Sequence, residues 1–270
     1  MAEHDDSTLQ AGSPTLHIDE GSGRATLTLQ RPQQANRLHR EDLLALRQLL
    51  THVHERVQAQ DGLRVLVLQS TGHVFCAGFN LQEIGQSAQS AADDPQLFER
   101  TVDALAALPL PTLARLQGGV YGGATDLALA CDFRIGVPET RLRMPAGHIG
   151  LHYYPSGLRR FVAKLGLAQA KRLFLLAPTV PAEELLRIGY LDRLVPADTL
   201  DAEVDALAAA LAAGAPLAVQ GMKLSLDEIA TGGFDLDRLR AREARCAASE
   251  DLREGLLAMA EKRPPRFSGR

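Results

Sequence analysis

The sequence predicts an α/β fold, and three features of its 270 residues lead to this prediction. Strand-like and helix-like patterns alternate over residues 24–195, which is typical of an α/β fold. From about residue 197 onward the patterns are helical only. No Pro- or Ser-rich linker separates the two regions, and 46% of the residues are apolar, so the chain is long enough for one sizeable core, or for a core with a small appendage.

The elements of the first region follow from local patterns. Residues 24–29 alternate with a period of two, and residues 63–69 are a short β-branched run typical of a buried strand. Further strands are predicted at residues 111–116 and 133–137. Helices are predicted at residues 124–131, an Ala-rich stretch after a glycine pair, and at residues 41–58. The latter helix has one apolar stripe for burial, made of Leu43, Leu46, Leu50, Val53 and Val57.

The predicted helices of the second region have no strand layer of their own to cover them. They span residues 201–213, 216–230, 235–247 and 252–262, with Gly214, Gly232, Gly233 and Ser249 between them. Such helices pack either on the parent domain or at a subunit interface. The sequence thus divides into a loose, disordered tail (residues 1–14), a core (residues 15–197) and a helical region (residues 198–270), for which the resemblance described below implies a role in oligomerisation. The polar stretch at residues 86–94 is predicted to be a mobile loop near the site.

Composition excludes several classes of protein. The net charge is only −4, with acidic and basic residues interspersed, so no basic surface for nucleic acid or a membrane is indicated. The amino-terminal segment lacks the pattern of a signal peptide, and the three cysteines are widely spaced, without metal-ligand spacing. We expect reduced thiols, a cytoplasmic protein and no metal site. Cys76 and Cys131 are interpreted as structural.

The first segment with chemical potential is residues 73–84, which follows the predicted strand at 63–69. Ala77 and Gly78 allow the backbone to approach a ligand closely, and Gly78 can adopt a positive φ. The N–H of Phe79 would then point into a pocket. Taken alone, the segment is equally compatible with an ordinary strand-to-helix turn.

The second segment is residues 117–132, where a strand ends, the chain turns through Gly122 and Gly123, and a helix begins. A helix N-terminus presents free N–H groups and the positive end of the helix dipole, which stabilise a developing oxyanion. Gly123 is the best candidate for a second donor. The alternative is a glycine-rich loop that serves only close helix packing.

Together these two segments closely resemble the signature segments of the crotonase superfamily, the enoyl-CoA hydratase/isomerase family. Further similar stretches are residues 29–36, 178–196 and 250–267, so the resemblance covers nearly the whole chain. It implies a spiral of ββα units with a helical C-terminal region that forms trimers or hexamers. It also implies an acyl-CoA thioester as substrate and no permanently bound cofactor.

The resemblance further implies roles for individual residues. The backbone N–H groups of Phe79 and Gly123 would hold the thioester oxygen. Coenzyme A would lie against the backbone of Ala77, Gly78, Leu81 and Gly122. Arg37 stands where the family often has a basic residue near the CoA phosphates, although it is also compatible with an ordinary surface arginine.

The chain departs from the family's hydratase pattern at the two acids that activate water. The first glutamate matches Asp126, which is shorter by one C–C bond, about 1.5 Å. The second matches Ala146, which cannot transfer a proton. Asp126 is a candidate catalytic acid or base, although an acid in the first turn of a helix is also favoured by the helix dipole alone.

Residues 147–157 contain side chains that could replace the missing acid. His152, Tyr153 and Tyr154 are candidate proton or hydrogen-bond donors, with Tyr153 favoured because it aligns with a tyrosine of family members that decarboxylate methylmalonyl-CoA. The alternative is that one tyrosine packs in the core and the others face solvent.

Three functional hypotheses result. The first is an enoyl-CoA hydratase/isomerase-type lyase that uses Asp126. The second is a β-carboxyacyl-CoA decarboxylase, since the oxyanion hole would stabilise the enolate left by CO₂ and little acid–base machinery is needed. The third is a non-catalytic acyl-CoA-binding protein.

Overall fold

The computed structural model describes residues 12–84 and 94–270. The described strands are β1 Thr15–Asp19, β2 Arg24–Leu29, β3 Val65–Ser70, β4 Thr112–Leu116, β5 Val120–Tyr121, β6 Phe133–Gly136, β7 Arg141–Arg143, β8 Val180–Pro181 and β9 Arg193–Leu194. The described helices are α1 Arg40–Gln58, α2 Leu81–Ile84, α3 Leu97–Ala106, α4 Ala124–Ala130, α5 Pro155–Lys171, α6 Ala182–Arg187, α7 Leu200–Ala212, α8 Pro216–Ala230, α9 Leu236–Ala247 and α10 Glu250–Glu261.

The predicted α/β class is confirmed, and so are the elements that the sequence predicted, each to within two residues at either end. The sequence missed the short strands β5, β7, β8 and β9, because two or three residues are too few to show a period. It also missed β1 and the helices α3, α5 and α6. Residues 1–11 of the predicted tail and residues 86–93 of the predicted loop lie outside the described residues. The division into tail, core and oligomerisation region stays a prediction.

The main sheet has six strands in the order β1-β2-β3-β4-β6-β9, and a second sheet has the order β5-β7-β8. Strands β2, β3, β4 and β6 pair in parallel, while β1 is antiparallel to β2. Strand β3 is buried on both faces, which explains its continuous apolar run. Because β3 and β4 are parallel neighbours, the segments that follow them begin at the same edge of the sheet.

Each face of the sheet is covered by a hydrophobic cluster. Leu66 and Leu68 of β3 belong to the larger cluster, which includes the five-residue stripe predicted for α1. Val65 and Val67 point to the opposite face and pack with Val204 of α7. Helix α7 therefore packs on the core of its own chain.

Helices α8 to α10 differ from α7, since they leave many large apolar side chains exposed. These side chains are at least 46% exposed: Met222, Leu226, Ile229, Leu236, Leu252, Leu256, Leu257 and Met259. Among the described residues no single helix is long and apolar enough to cross a membrane; the segments Ala197–Ala212 and Pro216–Ala230, bent by 103°, satisfy length and composition only as a pair.

Candidate active site

The two glycine-containing segments predicted from the sequence lie side by side. The N–H of Cys76 donates to the carbonyl of Gly119 at 3.2 Å, and the N–H of Tyr121 donates to the carbonyl of Cys76 at 3.0 Å. A Cβ added to Gly78 would lie 3.2 Å from the nitrogen of Gly123. Gly78, the residue before Phe79, therefore lies against Gly123, whose N–H is the second proposed donor.

The N–H of Phe79 points away from the chain segment at Leu38, with which Phe79 forms an isolated parallel bridge. Leu38 donates to the carbonyl of Gly78 at 2.9 Å and accepts from the N–H of Asn80 at 2.8 Å. In this parallel bridge the N–H of Phe79 between them points to the other side. Within residues 12–84 and 94–270 that N–H has no acceptor, and neither has the N–H of Gly123, which precedes α4.

Three side chains fix these two segments from behind. Buried Asn36 donates from Nδ2 to the carbonyls of Thr71 at 2.7 Å and Val74 at 2.8 Å, and its φ of 52° suits asparagine. Gln117, in the second segment, donates from Nε2 to the hydroxyl of Ser70 at 2.7 Å, and Ser70 ends the strand that precedes the first segment. The thiol of Cys76 lies 2.9 Å from the carbonyl of Asn36 and 3.3 Å from the N–H of Gly78.

Cys76 and Cys131 are expected to resist alkylation in the folded protein. Both are fully buried, and burial raises the pKa of each thiol to about 12, so neither forms a reactive thiolate at pH 8. Treatment with iodoacetamide followed by mass spectrometry should show these two cysteines unmodified until denaturant is added. Rapid labelling of Cys76 in the native protein would contradict its structural interpretation.

The proposed CoA-contacting residues surround the same turn. Gly78 and Gly122 have positive φ, 90° and 53°. Ala77 donates its N–H to the carbonyl of Ala35, and Leu81 is 53% exposed. The guanidinium of Arg37 donates from Nη2 to Gln34 Oε1 at 3.3 Å, and its buried Nε has no partner among the described residues.

Asp126 is completely enclosed. It lies three residues after Gly123 on α4, its N–H bonds the carbonyl of Gly123, and its side chain has no exposed area. Arg160 of α5 donates from one nitrogen to both carboxylate oxygens, at 2.8 and 2.7 Å, and from the other to Asp103 of α3 at 2.6 Å. Burial raises the pKa of Asp126, and the charge of Arg160 acts in the opposite direction.

Tyr154, rather than Tyr153, is in contact with Asp126. The hydroxyl of Tyr154 donates to Asp126 Oδ2 at 2.5 Å, and the hydroxyl of Tyr153 donates to that of Tyr154 at 3.1 Å. Burial raises the pKa of both phenols, so both stay protonated. Gly157 makes room for this arrangement, since an added Cβ would lie 2.6 Å from Asp126 Oδ2.

The third candidate of this region, His152, is not part of the group formed by Asp126, Tyr153, Tyr154 and Arg160, and Ala146 adds nothing to that group. His152 is exposed, and its Nδ1 lies 2.8 Å from the carbonyl of Tyr153. Ala146 is buried in a one-turn 3-10 helix and supplies no polar group. In the described part of the chain, no group of three or more His, Cys, Asp or Glu residues is arranged to hold a metal ion.

A row of aromatic rings extends from the two free N–H donors to the tyrosine that contacts Asp126. The ring of Phe98 covers Gly123, since an added Cβ would meet it at 2.5 Å. Phe98 also lies 5.9 Å from the rings of both Phe79 and Tyr154, and Tyr154 stacks on Tyr153 at 4.2 Å. Phe98 therefore lies between the two free N–H donors and the Tyr154–Asp126 pair.

Sequence reasoning missed Arg160 and Phe98. Both lie on helices that were not predicted. Arg160 is 34 positions from its partner Asp126, and Phe98 is 25 positions from Gly123, which it covers. The one local signal is Gly157, one turn before Arg160 on α5. A glycine there marks a place where another element approaches the helix closely.

Comparisons with known proteins identify the family of the chain. The family model described as enoyl-CoA hydratase/isomerase matches residues 19–270. An enoyl-CoA isomerase/hydratase from Mycosarcoma maydis is 30% identical over 262 residues, which are 93% of this chain and 94% of that protein. A crotonyl-CoA hydratase from Syntrophomonas wolfei is 29% identical over 251 residues, 90% of this chain and 94% of that protein.

Solved structures show the same fold. The crystal structure of an enoyl-CoA hydratase from Bacillus anthracis has a TM-score of 0.79 and 28% identity, and the alignment covers 97% of this chain and 100% of that one. A member of the enoyl-CoA hydratase/isomerase family gives a TM-score of 0.85 at 27% identity, covering 95% of this chain and 98% of that chain. The crotonase-like fold that the sequence predicted is thereby confirmed.

Proposed function

The chain belongs to the enoyl-CoA hydratase/isomerase family, and on this premise we propose that it binds an acyl-CoA thioester and stabilises the enolate of its acyl group with the N–H groups of Phe79 and Gly123. One observation carries the proposal: these two N–H groups lie on adjoining segments, and neither has an acceptor in the described part of the chain. Donors that are fixed before reaction need no reorganisation when charge develops on the thioester oxygen.

The same turn would hold coenzyme A. Ala77, Gly78, Leu81 and Gly122 supply the backbone surface, and Arg37 supplies a guanidinium for the phosphates. No permanently bound cofactor is required, because the thioester brings its own activated carbonyl. This division of labour leaves only proton transfer to side chains.

The reaction we propose is of the hydratase/isomerase lyase type, in which a proton is moved at the acyl α- and β-carbons. Asp126 is the carboxylate nearest along the chain to the Gly123 donor, and Tyr154 is bonded to it. The hydroxyl of Tyr153 bonds that of Tyr154, and His152 stays a sequence-based candidate.

A second candidate function, decarboxylation of a β-carboxyacyl-CoA, is favoured by a specific observation. Ala146 offers no carboxylate, and the carboxylate of Asp126 is already paired with Arg160. Loss of CO₂ leaves the enolate directly, so that the two N–H donors suffice without a base.

A panel of acyl-CoA substrates tests the proposal. Purified protein is incubated with enoyl-, 3-hydroxyacyl-, malonyl- and methylmalonyl-CoA, and products are identified by mass spectrometry, while calorimetry measures binding. We expect binding in every active case. The first function gives a gain or loss of water, or a double-bond isomer of unchanged mass that chromatography resolves, and the second gives a loss of CO₂. Binding without turnover would instead indicate a non-catalytic acyl-CoA-binding protein, and no binding at all would refute the proposal.

We also propose a homotrimer or homohexamer in the cytoplasm. The exposed apolar side chains of α8 to α10, such as Leu256 at 59% and Met259 at 77%, are what a subunit interface would cover. The three cysteines are free, as in reducing compartments.

Light scattering after size-exclusion chromatography should therefore give three or six times the chain mass. The double substitution of Leu256 and Met259 by Glu is expected to shift the protein to smaller species, because it places charges in the interface. The substitution of exposed Arg240 by Glu in α9 is a charge control. A monomeric wild-type protein would contradict this proposal.

A further inference from the structure

The carboxylate of Asp126 is closed to direct contact with a substrate. Its side chain has no exposed area, Arg160 occupies both oxygens, and Tyr154 bonds Oδ2. Gly157 packs against the remaining side, where an added Cβ would lie 2.6 Å from Oδ2. A reacting carbon or a water that approaches α4 meets these groups before it meets the carboxylate.

Tyr154 is the group that connects Asp126 to the open side of the site. Unlike Asp126 it is only half-buried, and its ring lies beside Phe98, which covers the Gly123 donor. A phenol has a single hydrogen, and that of Tyr154 is directed at Asp126. Its oxygen accepts from Tyr153 and keeps a further acceptor position. Tyr154 therefore presents an acceptor, not a donor, to whatever binds next to it.

We propose that Asp126 acts on the acyl group only through Tyr154, which serves as a proton relay and is the catalytic residue that touches the substrate, while Arg160 positions Asp126. The proposal rests on the proposed function. In the forward step the acyl Cα–H bond breaks, its proton goes to the Tyr154 oxygen, and the Tyr154 hydroxyl proton goes to Asp126 Oδ2. The electron pair of the C–H bond becomes the enolate held by Phe79 and Gly123, and reversal of the same transfers returns the proton to carbon.

Two features of the structure suit this relay. The 2.5 Å separation of Tyr154 Oη and Asp126 Oδ2 is at the short end for an O–H···O⁻ bond, so the second proton moves only a short distance. The relay also leaves Tyr154 neutral after each step, which matches its burial next to a carboxylate. Because Arg160 donates to both oxygens of Asp126, it keeps Oδ2 aimed at the phenol.

The test is exchange of the α-hydrogens of butyryl-CoA in D₂O, followed by mass spectrometry, after calorimetry has established that butyryl-CoA binds. Tyr154→Phe keeps the ring and removes only the oxygen, and we expect exchange to fall by about 100-fold or more with Kd unchanged within a factor of about 3. Asp126→Asn should give a similar loss, and the two losses should not add, because the residues act as one unit.

Tyr190→Phe is the matched control, since it also removes a single phenolic hydroxyl, which donates to the backbone carbonyl of Thr125 at 2.8 Å. We expect its exchange rate to stay within about 5-fold of wild type. If Tyr154 served only packing, Tyr154→Phe and Tyr190→Phe would behave alike. Binding of butyryl-CoA without wild-type exchange, or exchange undiminished in Tyr154→Phe, would overturn the relay and leave the proposed function standing. Failure of the wild-type protein to bind any acyl-CoA would instead overturn the proposed function, and the relay with it.

Discussion

Substitution of Gly78 by alanine is expected to lower kcat for the acyl-CoA identified in the substrate panel by about 100- to 1,000-fold. The added Cβ would lie 2.6 Å from the carbonyl of Tyr121 and 3.2 Å from the nitrogen of Gly123. Both contacts are backbone atoms, so neither can rotate away. The two segments must therefore move apart, and the N–H groups of Phe79 and Gly123 no longer converge on one oxygen.

The size of the effect follows from the chemistry. Removal of one preorganised oxyanion donor costs about 2.7–4 kcal/mol of transition-state stabilisation, and a displacement of about 1 Å already costs on the order of 100-fold. This holds for a hydratase, an isomerase and a decarboxylase alike, because each passes through a thioester enolate. The result thus tests the oxyanion hole independently of the reaction type.

Gly62 provides a matched control. Its φ of 94° is close to the 90° of Gly78, but an added Cβ would meet no atom within 4 Å. Gly62→Ala therefore carries the same backbone strain, about 1–2 kcal/mol, without displacing the donors. Steady-state kinetics and thermal melts of both variants separate strain from site disruption. Equal kcat values for the two variants would contradict the role assigned to the N–H groups.

The two segments proposed to bind the thioester carbonyl could be located from the sequence because their determinants are local. Apolar runs predicted the strands before each segment, and glycines marked the turns where the chain approaches itself. Strands β3 and β4 then place both segments at one sheet edge. Phe79 and Gly123 needed no long-range information beyond that pairing.

The contacts around Asp126 could not be predicted in the same way, because they join elements that are distant in the sequence. Arg160 comes from α5 and meets Asp126 of α4, and no local pattern joins an arginine to a particular aspartate. Tyr153 and Tyr154 are adjacent in a loop, so sequence cannot say which hydroxyl reaches Asp126. In the structure the hydroxyl of Tyr154 bonds Asp126, and the hydroxyl of Tyr153, the catalytic candidate favoured from the sequence, bonds Tyr154.

Substitution of Arg160 by methionine is expected to destabilise the folded protein by about 3–5 kcal/mol at pH 8. Arg160 is only 10% exposed and Asp126 not at all, so removal of the cation leaves a buried carboxylate without a counter-charge. Methionine retains much of the aliphatic volume, which limits the contribution of a cavity. Urea denaturation of wild type and variants at one fixed protein concentration makes their free energies of unfolding comparable, because these depend on protomer concentration in an oligomer.

Asp103→Asn separates the buried contact of Arg160 from its exposed one. The side chain of Asp103 is 41% exposed, and its pair with Arg160 is a partly solvated ion pair worth about 1 kcal/mol or less. A loss of stability in Arg160→Met no larger than in Asp103→Asn would contradict a structural role for the Asp126 pair. Combination of Arg160→Met with Asp126→Asn should recover part of the loss, because the buried charge is then absent.

The pH dependence of the loss distinguishes an unpaired charge from simple loss of packing. Burial already raises the pKa of Asp126 with Arg160 present, and removal of Arg160 removes an opposing influence, so the pKa rises further. In the variant the folded state then binds a proton more tightly than the unfolded state, and unfolding becomes harder as the pH falls through the folded-state pKa. The destabilisation relative to wild type should therefore be smaller at pH 5 than at pH 8, whereas a packing defect would give the same loss at both. A pH-independent loss would mean that removal of Arg160 leaves the protonation of Asp126 in the folded state unchanged between pH 5 and pH 8. Arg160 would then matter to the site through its shape and not through the charge that fixes the carboxylate beside Tyr154.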